Sequence, residues 1–126
     1  MGRKRRGEKI DGWYIVDKAL GMGSTNVVSR IRRLTGAAKV GHGGTLDPLA
    51  TGILPIALGE ATKAIPYIMD ASKDYEVTMA FGHETTTDDL EGAVTESADY
   101  MPSEAEIIAA LPAFTGPISQ VPPAYS

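Results

Sequence analysis

Twelve consecutive residues in the first half of the chain, Gly-His-Gly-Gly-Thr-Leu-Asp-Pro-Leu-Ala-Thr-Gly (41–52), fit neither a helical nor a strand period. The four glycines and one proline of this run mark a loop of unusual backbone shape, so the flanking elements have to be built to hold it. Gly41, Gly43 and Gly44 allow left-handed or close-approach backbone, and Pro48 biases Asp47 towards an extended conformation. A loop of this kind can hold one carboxylate rigidly at a surface that a substrate approaches. A carboxylate that is ionised at neutral pH can act as a nucleophile without an activating base. The competing reading is an Asp that closes an Asp-Pro turn through its own side chain, and the residues alone favour the turn.

The segments around the loop carry clearer periods. Residues 12–16, Gly-Trp-Tyr-Ile-Val, read as a strand, and residues 17–23 as a turn-rich connection. Ser24 stands where a helix N-cap belongs. Val27, Val28, Ile31 and Leu34 follow at helical spacing, with Arg30, Arg32 and Arg33 mostly off that stripe, and Gly36 offers a stop. Residues 53–58 suit a buried strand, and residues 60–69 a helix kinked or ended near Pro66. From 73 to 81 the alternation of Tyr75, Val77, Met79 and Phe81 with polar residues predicts a half-buried strand. After an acidic turn at 85–92, residues 93–96 could be its partner. Ser103 and Glu106 have capping-box spacing and open a helix through Leu111. Strands and helices do not alternate as regular βαβ units, so the expected class is α+β.

Charge is divided along the chain. Residues 1–69 hold eleven Lys or Arg against five Asp or Glu, whereas residues 70–106 hold eleven acidic side chains and only Lys73. The net charge of −4 therefore conceals a basic segment suited to a polyanion, although composition alone leaves both segments as solvated surface. No apolar run approaches the ~18 residues of a membrane span, and the basic start at 1–6 leads into no apolar signal segment. There are no cysteines, hence no disulfides, thiolate metal sites or catalytic thiol, and a cytoplasmic location fits best.

His42 could serve as a base, a ligand or a stacking partner. A metal site is not expected, since His83 is the only other histidine. Gly21-Met22-Gly23-Ser24-Thr25 has the shape of an anion-binding turn, but the lysine-bearing pattern of a nucleotide-hydrolysing P-loop is missing. Tyr75 reads as core on its strand, and Lys18 and Lys63 as solvated side chains.

The run from Gly41 to Gly52, continuing as Ile-Leu-Pro-Ile-Ala-Leu-Gly-Glu-Ala-Thr-Lys (53–63), is similar to the signature of the TruB family of pseudouridine synthases. Supporting stretches occur in the right order: Val16-Asp17-Lys18 with Gly21-Met22, then Lys73-Asp74-Tyr75, then residues 120–126, Gln-Val-Pro-Pro-Ala-Tyr-Ser. Two positions depart from the family pattern. Gly43 stands where the family usually has Thr, and Ala19 where it usually has Pro; both bear on loop rigidity.

The resemblance implies the pseudouridine synthase catalytic fold, a mixed and largely antiparallel sheet flanked by helices, here incomplete. Residues 1–11 would be a basic tail and residues 12–126 the N-terminal portion of the catalytic domain. It implies isomerisation of uridine to pseudouridine at position 55 in the T loop of tRNA, with base flipping and no cofactor or metal. Asp47 would be the nucleophile, on the ribose or on the base. Tyr75 would lie against the flipped uracil and help remove the C5 proton, and His42 would stack in the T loop. Lys18 and Lys63 would support the catalytic loop or contact RNA. The partner would be the tRNA T-arm, the full-length protein a monomer, and the 126-residue chain alone inactive. Two alternatives stand beside this: a guide-RNA-dependent relative, and a non-catalytic RNA-binding fragment.

Overall fold

The protein is described by a computed structural model over residues 7–124, and it divides into two compact units, Met1–Asp74 and Tyr75–Ser126. Helices are interspersed among the strands, and every strand pair in both sheets is antiparallel, so the class is α+β.

The first unit is organised on strand β3 (Gly52–Leu58), which has a neighbour on each side. Strand β1 (Gly12–Lys18) pairs with it antiparallel from Gly12↔Leu58 to Lys18↔Gly52. Strand β2 (Val40–His42) pairs antiparallel on the other edge from Val40↔Leu58 to His42↔Ile56. The expected strand at 12–16 thus runs two residues further, because β3 offers it partners as far as Gly52. Pro55 lies in the middle of this central strand and sets where β2 stops. Its carbonyl accepts from the Gly43 amide at 2.9 Å, but it has no N–H to return a bond, so the ladder ends and the loop begins.

Strand alternation gives the sheet two faces. On one, Leu54, Ile56 and Leu58 are buried with Val40 beneath helix α1 (Ser24–Thr35), whose Val27 is also buried and whose Val28 and Ile31 pack at the margin. Leu34, expected on the same stripe, is exposed, so the covered part of the helix ends at Ile31. Gly36, with φ 70, closes the helix in the left-handed region through its amide to the Arg32 carbonyl. On the other face, a short 3-10 helix (Gly59–Ala64) leads into helix α2 (Ile65–Met69). Pro66 falls in the first turn of α2, where a missing N–H is harmless, so it starts a helix rather than kinking one. Ile65 and Ile68 of α2 sit over Gly41 and Gly43, and a β-carbon on either glycine would lie 3.0 Å from the isoleucine above it.

The second unit has a hairpin of strands β4 (His83–Thr85) and β5 (Val94–Ser97), helix α3 (Glu104–Ala110) and a 3-10 turn (Leu111–Phe114). The capping box at Ser103 and Glu106 forms as the spacing predicts. The strand expected at 73–81 does not form: Tyr75, Val77, Met79 and Phe81 are all exposed, and β5 pairs instead with residues 83–85. A strand is completed by its neighbour, and no described residue offers these amides and carbonyls a ladder. Among the described residues no helix is long and apolar enough to cross a membrane.

Candidate active site

The glycines of the β2–β3 loop and of the strand ends beside it divide between two tasks. Gly44 at φ 103 and Gly52 at φ 132 take backbone conformations that side chains disfavour, while Gly41 and Gly43 let α2 approach the sheet. Asp47 is exposed, and its carbonyl accepts from the Ala50 amide at 2.9 Å, closing a turn over 47–50. The Asp-Pro turn is thus real, but the main chain closes it.

Both neighbours of Asp47 are tied down. On its C-terminal side, the Pro48 carbonyl accepts from the Gly21 amide at 2.6 Å and from Lys18 Nζ at 3.4 Å. The same ammonium donates to the carbonyls of Met22 at 2.7 Å and Ala19 at 2.9 Å, and Lys18 is only 1% exposed. An ammonium has three protons to donate, and three carbonyls receive them, which is what makes its burial tolerable without a carboxylate partner. Lys18 is therefore not a solvated side chain. The connection after β1 curls around it, and it reaches across to the loop.

On the N-terminal side, Ser24 Oγ accepts from the Leu46 amide at 3.0 Å and donates to the Leu46 carbonyl at 2.9 Å. Ser24 was expected to cap α1. The N-cap is instead Gly23, no side chain caps that end, and Ser24 is the buried first residue of the helix.

The other expected site residues are placed as follows. His42 ends β2 opposite Ile56, and its Nδ1 is buried without a hydrogen-bond partner among the described residues. Such an atom costs ~1–3 kcal/mol when left unpaired. Lys63 lies on the 3-10 helix and pairs with Glu60 at 2.5 Å, both side chains well exposed, rather than bonding to the loop. That pairing lowers the Glu60 carboxyl below, and raises the Lys63 ammonium above, their usual values, in each case through the hydrogen bond first and the opposite charge second. Tyr75 opens the second unit and is 69% exposed. The structure thus brings Lys18 and Asp47 into one construction, to which Ser24 and Gly21 are additions. Strand parity signals the burial of Lys18, two residues after Val16 on the core side. Nothing in the local sequence signals the long-range bond of Ser24. Lys73 is a further neighbour of the loop: its Cε lies 3.6 Å from where a Gly44 β-carbon would sit, and its ammonium donates to the Met69 carbonyl at 2.7 Å.

Residues 32–126 match the family described as TruB family pseudouridylate synthase (N terminal domain), and the chain belongs to that family. Proteins named tRNA pseudouridine synthase B are similar along nearly its whole length. That of Gluconacetobacter diazotrophicus is 60% identical over 124 residues, covering 98% of this chain and 40% of that protein. That of Mesorhizobium japonicum is 57% identical over 128 residues, covering 100% and 39%. That of Brucella anthropi is 58% identical over 123 residues, covering 98% and 38%. The chain spans about two fifths of the length of these curated relatives. A solved structure of an H/ACA RNP bound to a substrate RNA containing 2'-deoxyuridine is 31% identical, with a TM-score of 0.43, covering 53% of this chain and 24% of that one.

Proposed function

We infer that these residues are the N-terminal portion of the catalytic domain of an enzyme that isomerises uridine to pseudouridine at position 55 in the T loop of tRNA. One observation carries the reading: an exposed carboxylate, Asp47, on a glycine-rich loop whose residues on either side are bonded to the body of the fold. A nucleophile has to keep its direction while a flexible RNA is brought to it, and this loop has the ties to do so.

In this reading the target uridine is flipped out of the T loop, since chemistry on a base within a folded loop needs it extruded. Asp47 attacks the nucleotide, the N1–C1′ glycosidic bond breaks, the uracil turns, a carbon–carbon bond forms between C5 and C1′, the bond to Asp47 is released, and the proton lost from C5 is balanced by one gained at N1. Tyr75 supplies a ring face for the uracil and helps remove the C5 proton. His42 stacks in the T loop, and Lys63 is an RNA contact. Lys18 holds the catalytic loop and does not meet RNA, consistent with its burial. The excess positive charge of residues 1–69 meets phosphates and positions the RNA without reading its sequence. No cofactor or metal enters the scheme, and the enzyme acts as a cytoplasmic monomer. Full activity belongs to the longer protein, of which the chain spans about two fifths by its relatives.

The test is release of tritium from C5-labelled uridine in an unmodified tRNA transcript, with no guide RNA present. The full-length enzyme should release it in a 1:1 ratio to pseudouridine formed, and a transcript with cytidine at position 55 should release none above background. Release that requires an added guide RNA would favour the ribonucleoprotein alternative, and tight binding without release the non-catalytic one.

A further inference from the structure

A serine at a helix N-terminus can turn its hydroxyl to the helix's own free amides, most effectively from the N-cap position that Gly23 occupies here. Ser24 does not. Helix α1 has no side-chain cap, and the hydroxyl of Ser24, a residue only 4% exposed, makes both its bonds with the main chain of one distant residue, Leu46. The helix forgoes a cap, and the loop gains a tie immediately before Asp47.

Which groups are tied matters. The Leu46 carbonyl belongs to the planar peptide that joins Leu46 to Asp47, and the Leu46 amide belongs to the preceding one. Holding both fixes the two peptide planes on either side of the Leu46 α-carbon. The second of those planes sets the position of the Asp47 nitrogen and α-carbon, from which the carboxylate extends. The tie through Lys18 and Gly21 acts on the other side, at Pro48.

We propose that Ser24 is a positioning residue for pseudouridine formation, orienting the Asp47 carboxylate through the Leu46 peptide. The proposal rests on Asp47 being the nucleophile. Ser24 touches no substrate. Its removal leaves the RNA-binding surface intact and misdirects the attacking group, so the loss falls on the chemical step. A misplacement on the order of 1 Å costs roughly a hundredfold in rate.

The experiment uses the full-length enzyme with Ser24→Ala and Ser24→Cys. The second variant keeps nearly the same shape but offers only a weak donor and acceptor. Single-turnover rate, tRNA affinity, and amide hydrogen exchange at Leu46 are measured for each. Both variants should fall roughly 10–100-fold in single-turnover rate, keep the parent's tRNA affinity, and exchange the Leu46 amide faster. A parent rate in either folded variant overturns the proposal, and so does a loss confined to tRNA affinity. If Ser24→Ala does not fold, Ser24→Cys alone decides by the same criteria. Asp47→Asn, run in parallel, separates the two readings. Activity in Asp47→Asn refutes the nucleophile itself, whereas an inactive Asp47→Asn beside a fast Ser24→Ala refutes only the role of Ser24.

Discussion

Each unit of this chain carries a segment that reads as a strand, an unbroken apolar run at 52–58 and an alternating one at 73–81, and the two fare differently. In the first, β3 has a paired strand on each edge, and Leu54, Ile56, Ala57 and Leu58 are buried. In the second, Tyr75, Val77, Met79 and Phe81 alternate as regularly as any strand, yet none of the unit's described residues is buried. Alternation specifies which side chains share a face, but a ladder and a covering layer come from elsewhere in the chain. The β4–β5 hairpin has a ladder and little else, and even there Glu84 stands opposite Glu96, a like-charge pair that opposes the pairing.

That contrast can be broken by truncating one apolar side chain in each unit. In the 126-residue chain, Ile56→Ala should lower the unfolding free energy by about 2–5 kcal/mol, because Ile56 is fully buried. Val77→Ala should change it by no more than about 0.5 kcal/mol. Denaturant unfolding measures both, and equal losses would mean that residues 73–81 are held in a core after all. Repeating the pair in the full-length protein sharpens the point, since a larger Val77→Ala effect there would show that the remaining polypeptide supplies the missing neighbour.

A middling effect is expected where the chain departs from its family's pattern. Ile68 lies 3.0 Å from the space a Gly43 β-carbon would fill, so the glycine and the isoleucine fit each other. Gly43→Thr should cost about 1–3 kcal/mol by overpacking. Ile68→Ala in the same chain should recover part of it, giving a coupling above about 0.5 kcal/mol in a double-mutant cycle of thermal unfolding. Additive losses would mean that the two residues do not share this space. For Ala19, the other departure, the structure shows only that its carbonyl accepts from Lys18.

The smallest effect belongs to the Glu60–Lys63 pair, which is exposed and screened by solvent. The lowered Glu60 carboxyl contributes above its ordinary pKa of 4.5, and loses that contribution as pH falls through the lower folded value. The raised Lys63 ammonium contributes below its ordinary 10.5, and loses it as pH rises through the higher folded value. The melting temperature of Lys63→Met should therefore differ little from the parent's, by a gap that is flat from about pH 5 to 10 and closes on the acid side. A gap that widens in acid would contradict the pairing.

Much of the first unit was legible in the sequence, because its elements carry their own signals: the β-rich run of β1, the stripe of α1 and its Gly36 stop, and the glycines of the loop. Pro66 was legible as an interruption but not as a helix start, since the same residue ends one helix or begins another according to what precedes it. Asp47 stood out as the acidic residue inside the signature. What holds it did not stand out, because Ser24 lies 22 residues from Leu46, and Lys18 lies 30 from Pro48. Bonds of that range depend on the register of β1 against β3, which local patterns do not state. The pattern at 73–81 misleads for the same reason in reverse: it meets the local rule for a strand, and no described residue supplies the partner.

If a tied loop presents Asp47 as the nucleophile, activity depends on that one carboxylate. Asp47→Asn keeps the size of the side chain and removes the carboxylate. In the full-length enzyme under single-turnover conditions with unmodified tRNA, it should bind the RNA as the parent does. Tritium release should fall on the order of a thousandfold or more. Substantial release by a correctly folded Asp47→Asn enzyme would show that Asp47 is not the nucleophile.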